Sequence, residues 1–261
     1  MTSKRLLEMV TVCVEFGDRL AQVAPHNRQL VDKWTVATRP VDEDTRAVCR
    51  SFSIDVVLCD EFDRCEGQGS FAKSYGINRA LAMCNGGGWL LHTDADIALP
   101  YDLHQCLDDA DLRVGRVYGC NRLCVPYRSW PEVVRRGLYS RWHSWLVEFR
   151  DRPPGCYVGG IPAGLHVGYS PIGFFQLWAG AESLSWGTAR KMYPDCHGGA
   201  ARTDVQFGLQ WDRRDRHFLP EVLVYHLEPD DAYQHMGKDW KGRKSPRYCP
   251  PKASEAPGAT Y

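Results

Sequence analysis

The 261-residue chain has no C-x-x-C pair, no apolar stretch of bilayer-spanning length, no internal repeat and no net charge. Each absence removes a class of function. A bilayer-crossing helix needs roughly 20 apolar residues in a row, so no transmembrane segment is expected. Met1 to Glu8 is polar and the apolar run after it is short, unlike a secretory signal peptide. Basic and acidic residues balance at 32 each, which leaves no global field to recruit nucleic acid or an anionic membrane. The 11 cysteines are scattered singly, Cys120 and Cys124 being the closest pair. Disulfide frameworks belong to small secreted chains, so buried thiols and a cytoplasmic, reducing location are expected. The alternative use is a structural zinc site from Cys120, Cys124 and a distant His.

What is present suits a large soluble domain, with 44% apolar residues and nine Trp. Basic residues cluster locally at Arg135, Arg136, Arg141, Arg150 and Arg152, and again at Lys238, Lys241, Arg243, Lys244 and Arg247. Such clusters are solvated faces or contacts for an anionic substrate. Strands are predicted at Met9–Val14, Trp34–Thr38, Ile54–Cys59, Trp89–Thr93 and Glu221–Tyr225. Helices are predicted at 21–31, from Asp42 onward, at Ser74–Cys84 and at Thr203–Trp211. This alternation means βαβ units and a mainly parallel sheet. The stretch 113–177 is glycine-rich and less regular, and prolines 246, 250, 251 and 257 mark a loose tail.

The most informative residues, Asp94-Ala95-Asp96, stand at the carboxyl end of the predicted strand Trp89–Thr93. In extended chain side chains alternate faces, so Asp94 and Asp96 are expected to point the same way and Ala95 back into packing. Open α/β sheets place their ligand crevice at the carboxyl ends of strands. Two carboxylates there suit Mg²⁺ or Mn²⁺ carrying a diphosphate, or form a plain acidic turn.

Together with the motifs around it, this segment resembles the GT-A family of nucleotide-sugar-dependent glycosyltransferases, in a family 2-like form. The resemblance covers roughly residues 8 to 243. Its most specific part joins Phe71-Ala72-Lys73-Ser74-Tyr75-Gly76-Ile77-Asn78-Arg79-Ala80 to Leu91-His92-Thr93-Asp94-Ala95-Asp96, a helix just ahead of an Asp-x-Asp (DXD) strand. The resemblance implies a metal at Asp96, with Asp94 beside it as a further ligand or on the ribose. It places Lys73, Asn78 and Arg79 near the nucleotide, where the polar face of a packed helix is the competing explanation. It implies that Thr38, Asp42 and Asp60 meet the base.

Thr203-Asp204-Val205-Gln206-Phe207 is similar to the acidic segment of inverting members, although Thr203 stands where the family has an acid. Asp204 falls on the general base, and an N-cap is the alternative. His226, ending a late strand, resembles the third metal ligand. Lys238, Trp240 and Arg243 resemble a lid that clasps the diphosphate. Gln176 is the expected sugar contact, with Phe174 or Trp178 stacking on a ring unless they are core.

The resemblance therefore implies an α/β GT-A (Rossmann-like) single domain over 1–244, with a donor half of about 1–112, an irregular acceptor half of about 113–244, and a flexible tail at 245–261. The expected partner is a UDP-sugar donor, the cofactor Mn²⁺ or Mg²⁺, and the activity hexosyltransferase-like. Acceptor candidates are a protein, a glycan, or a hydroxymethylated base in phage DNA. The last is similar to the activity of small virus-encoded members, for which the location is the host cytoplasm. The oligomeric state is open. A nucleotidylyltransferase would carry a Gly-rich, Arg-containing loop after its first strand, where Glu15-Phe16-Gly17-Asp18-Arg19-Leu20 stands. A haloacid-dehalogenase-type phosphatase would carry its D-x-D after the first strand. A non-catalytic nucleotide-sugar binding module remains as the rival.

Overall fold

A computed structural model describes residues 6–62, 72–140, 153–159, 163–164, 168–180, 191–194 and 200–228. Strands β1 (Leu7–Val12), β2 (Lys33–Thr38), β3 (Asp55–Leu58) and β4 (Trp89–His92) run parallel. Helices α1 (Gly17–Asn27), α2 (Glu43–Ser51) and α3 (Lys73–Leu81) lie between them in sequence. Next come β5 (Ile97–Ala98), α4 (Leu103–Asp109), β6 (Val117–Pro126), α5 (Trp130–Arg136) and β7 (Tyr157–Gly159). The chain then forms β8 (Ala163–Gly164), β9 (Gly168–Tyr169), β10 (Gln176–Ala179), α6 (Ala200–Gly208) and β11 (Arg216–Glu228).

Nine strands make one sheet in the order β3-β2-β1-β4-β10-β6-β11-β5, with β7 added to β6. β10 is antiparallel to both β4 and β6, while the long β6–β11 pairing is parallel. The result is the expected α/β class with a sheet parallel through most of its paired length. Its first half has the Rossmann-like order 3-2-1-4. The strand order reverses between the parallel neighbours β1 and β4, and ligands of such sheets bind at that switch point, outside the strands' carboxyl ends. No described helix is long and apolar enough to cross a membrane.

Alternation along the strands feeds two cores. Met9 and Leu91 enter one apolar cluster, whereas Val10, Val12 and Leu90 enter the other with Ile77 and Leu81 of α3. Burying such side chains is worth roughly 1.5–3 kcal/mol each before conformational entropy is charged against it. In the second cluster Phe207 of α6 stacks on Tyr193 at 3.8 Å between centroids and meets Trp178 of β10 edge-on at 4.8 Å. This packing fixes α6 against the sheet.

Several boundaries differ from the sequence expectation. α1 starts four residues early because Gly17 lets its first turn approach α2, where a Cβ would lie 2.7 Å from the Thr45 amide nitrogen. α6 starts at Ala200, so Asp204 lies inside the helix and the N-cap alternative is removed. The irregular middle contains the ten-residue β6, hidden from apolar patterning by Gly119, Asn121 and Arg122. Asp94-Ala95-Asp96 is not extended: β4 ends at His92, and the Ile97 amide donates to the Asp94 carbonyl at 3.4 Å across a turn. The two carboxylates therefore diverge.

α3 packs on β1 through Gly76, whose Cβ position lies 2.5 Å from Phe62 Cε1 and 2.9 Å from Val12 Cγ2. Gly76→Ala is expected to cost about 1–3 kcal/mol, the usual scale of overpacking, in urea denaturation followed by circular dichroism. A change indistinguishable from zero would contradict this packing.

Candidate active site

Lys73 begins α3, and its ammonium is buried between two carboxylates. Nζ lies 2.6 Å from Asp94 Oδ1 and 2.9 Å from Asp204 Oδ2, with side chains 4%, 23% and 6% exposed respectively. The second Asp204 oxygen accepts from the same ammonium at 3.1 Å. Residues 131 positions apart thus meet at the end of β4. Gly173 makes the approach feasible, since a Cβ there would collide with Asp204 Oδ2 and Lys73 Nζ. Its amide also donates to Asp204.

Burial raises the Asp204 carboxyl to about 6, against the lowering effect of Lys73 and with a further rise from Asp94. Burial alone would depress the Lys73 ammonium, but the two carboxylates reverse this and hold it above its ordinary value. Lys73 is therefore held in its charged form, and the Asp204 carboxyl sits above the ordinary carboxylate range.

A second ionic cluster lies beyond the turn. β5 pairs with β11 so that His226 faces Ile97, and the Leu227 amide donates to the Asp96 carbonyl at 2.9 Å. This register brings His226 Nε2 to 3.5 Å from Asp96 Oδ2. Arg19 of α1 approaches the same oxygen at 3.6 Å, while Asp96 Oδ1 is buried without a hydrogen-bond partner among the described residues. Burial works to raise Asp96, but His226 and Arg19 hold it at about 2. His226 Nδ1 lies 3.0 Å from Glu228 Oε1, and the Tyr157 hydroxyl donates to Glu228 Oε2 at 2.6 Å. Burial opposes charge on His226, yet Asp96 and Glu228 raise it well above the ordinary histidine value.

The expected site residues thus fall into distinct groups. Asp94 and Asp204 meet on Lys73, and Asp96 meets His226. Asp94 pairs with Lys73, and Asp94, Asp96 and His226 do not form a group of ligand atoms within 4.8 Å of one another among the described residues. Gln176 is fully buried: its amide nitrogen donates to the Pro171 and Asp204 carbonyls, each at 2.9 Å, and its oxygen is engaged by Tyr193 and His92. It positions the turn of α6 that carries Asp204. Asn78 clamps the Tyr193 backbone through two 2.8 Å hydrogen bonds. Asp42 caps α2 and accepts from Thr45, Thr38 and the Glu15 amide, the last residue having a φ of 58°. Phe174 and Trp178 are core. Asp60 and Arg79 are exposed near Cys59, at the carboxyl end of β3. Lys238, Trp240 and Arg243 lie outside the described residues, as do the tail and the basic residues at 141, 150 and 152. Arg135 and Arg136 both pair with Glu132 on α5.

Sequence reading missed Glu228, two residues beyond His226, and its signal was present. Alternation places 226 and 228 on one face of a strand, and a histidine that binds metal commonly donates its other ring N–H to a carboxylate. It also missed the pairing of Lys73 with Asp204, which no local pattern announces.

No family model matches the chain, and no curated protein matches it. Several solved structures resemble it. Glucosyl-3-phosphoglycerate synthase from Mycobacterium tuberculosis, in complex with Mn²⁺, uridine diphosphate and glucosyl-3-phosphoglycerate, is 14% identical at a TM-score of 0.47, over 93% of this chain and 82% of that one. Its complex with Mn²⁺ and UDP-glucose has the same identity and TM-score. Mannosyl-3-phosphoglycerate synthase from Rubrobacter xylanophilus is 17% identical at a TM-score of 0.35, over 45% of this chain and 40% of that one.

A raised carboxyl favours the protonated folded state. Asp204 therefore contributes stability below its ordinary value of 3.8 that is lost as pH rises through about 6. Carboxyl-carbon NMR should show this group titrating near pH 6. In Lys73→Met the transition should move upward, because the neighbouring cation is gone. An unchanged or lower transition would contradict the ionic geometry.

Proposed function

We propose that the chain is a metal-dependent, hexosyltransferase-like glycosyltransferase that moves a sugar from a UDP-sugar donor to an acceptor hydroxyl. One observation carries the reading: Asp204, held by buried Lys73, faces the carboxyl end of β4 at the switch point of a 3-2-1-4 sheet. That crevice is where such sheets bind nucleotides, and Asp204 has the proton affinity of a general base.

The residues present also fit a divalent ion. Asp96 has a buried oxygen with no hydrogen-bond partner among the described residues, and its other oxygen faces His226 Nε2. Oxygen and imidazole donors suit Mn²⁺, and Mg²⁺ less readily. When bound, such an ion offsets diphosphate charge and helps the nucleoside diphosphate depart. To ligate through Nε2, His226 would release its Nε2 proton and keep its Nδ1 proton, which Glu228 Oε1 accepts in a hydrogen bond. His226 must give up a proton to ligate, so metal affinity rises with pH.

In the transfer step Asp204 accepts the proton of the acceptor hydroxyl. The acceptor oxygen bonds to the anomeric carbon while the bond from that carbon to the diphosphate oxygen breaks, its electron pair leaving with UDP. Lys73 keeps Asp204 ionised and fixed. A single displacement inverts the anomeric configuration. We infer a hydroxymethylated base in DNA as the acceptor to test first. Mass spectrometry of such DNA, of protein and of glycan incubated with a panel of nucleotide sugars separates the candidates.

Asp204→Asn should retain fold and donor binding but lose transfer by about 10²-fold, the scale of general-base loss, and the wild-type product should be inverted by NMR. Near-wild-type turnover in the variant or a retained configuration would remove Asp204 from this role. Unaltered function without any transfer in the wild type would favour the binding-module reading.

A further inference from the structure

Beside the cluster just described, three unlike ligand atoms converge. Cys124 Sγ of β6 lies 4.0 Å from His226 Nδ1, and Glu228 Oε1 lies 3.0 Å from the same nitrogen. All three lie within 4.8 Å of one another, and they form the one such group of three among the described residues. The parallel register of β6 and β11 sets this geometry by placing Cys124 opposite His226, while alternation puts Glu228 on the same face. The edges of a tetrahedral zinc site, with Zn–S near 2.3 Å and Zn–N near 2.1 Å, are about 3.5 Å, so small side-chain adjustments would close the triangle. Cys120, the other cysteine expected to join a zinc site, is not a member.

We propose that Cys124, His226 Nδ1 and Glu228 form a binding site for a thiophilic divalent ion such as Zn²⁺, and that its occupancy excludes the hard ion from Asp96. The second half rests on the metal site proposed above. The exclusion follows from the imidazole ring. Ligation through Nδ1 requires the ring proton on Nε2, where it points at Asp96 Oδ2. Ligation of the hard ion through Nε2 requires the proton on Nδ1, where Glu228 accepts it. A single neutral ring satisfies one arrangement at a time. On zinc binding the Cys124 thiol proton and the Nδ1 proton of His226 both leave to solvent, the ring keeps its proton on Nε2, and Glu228 exchanges its hydrogen bond to Nδ1 for a metal bond. Soft thiolate with imidazole selects zinc over manganese, so the site would act as an inhibitory switch.

The test uses the full chain, stripped of metal and titrated with Co²⁺ as a spectroscopic stand-in for zinc. One equivalent should produce a thiolate-to-Co²⁺ charge-transfer band that Zn²⁺ abolishes. Cys124→Ser should lose that equivalent while keeping the wild-type circular dichroism. Glu228→Gln should weaken Co²⁺ binding by about tenfold or more, as loss of a ligand or its support commonly does. Absence of the band, or an undiminished equivalent in Cys124→Ser, would overturn the site. Mn²⁺ binding followed by electron paramagnetic resonance tests the exclusion separately. One equivalent of Zn²⁺ should release Mn²⁺ from the wild type but not from Cys124→Ser. Simultaneous binding of both ions would overturn the exclusion. Failure of Mn²⁺ to bind at all would sink the proposed hard-ion site and leave the cobalt result standing.

Discussion

The structure turns on one buried cation. Lys73 carries its ammonium into the interior, where desolvation is severe, and only two carboxylates make this tolerable. Asp94 comes from the turn after β4 and Asp204 from α6, so a single ion triplet ties the amino end of α3 to two distant segments. Such triplets seldom add net stability, because desolvation offsets most of the attraction, yet removing one member costs about 3–5 kcal/mol. What the triplet supplies is definition. It fixes one carboxylate near the carboxyl end of β4 and sets that carboxylate's proton affinity by the balance between burial and the neighbouring charge.

The second ionic cluster depends on register. β5 is only two residues long, yet its pairing with β11 sets Asp96 against His226 and fixes the spacing of both from Glu228. Asn27 of α1 secures that short strand, donating to the Ile97 carbonyl at 2.7 Å and accepting from the Leu99 amide at 2.8 Å. A slip of one residue in β11 would turn His226 and Glu228 to the opposite face together. The chemistry of the second cluster is thus a consequence of sheet pairing as much as of the side chains themselves.

Much of this was legible in the sequence. The first four strands and their helices could be read from short apolar runs and Asp42's capping position, because local periodicity and capping act within a few residues. Asp94, Asp96, Asp204 and His226 stand out in the sequence as carboxylates and an imidazole near predicted strand or helix ends, and the roles expected of them come from the family resemblance. Other features needed the tertiary structure. The turn at Asp94 to Asp96 depends on β5 leaving β4 for β11. β6 was obscured because Arg122 and Asn121 interrupt its apolar pattern. Gln176 looked like a sugar contact, as a polar group among aromatics does, and instead lies fully buried with protein partners on both ends. The long-range pairing of Lys73 with Asp204 leaves no trace in either local sequence.

The central claim is that Asp96 and His226 form a hard-metal site serving a nucleotide-sugar diphosphate. Isothermal titration of UDP-sugar into the metal-stripped protein, with and without Mn²⁺, addresses it most directly. The account predicts binding that requires Mn²⁺ in the wild type and is lost in Asp96→Ala with the fold intact. Equal donor affinity with and without the metal would contradict it.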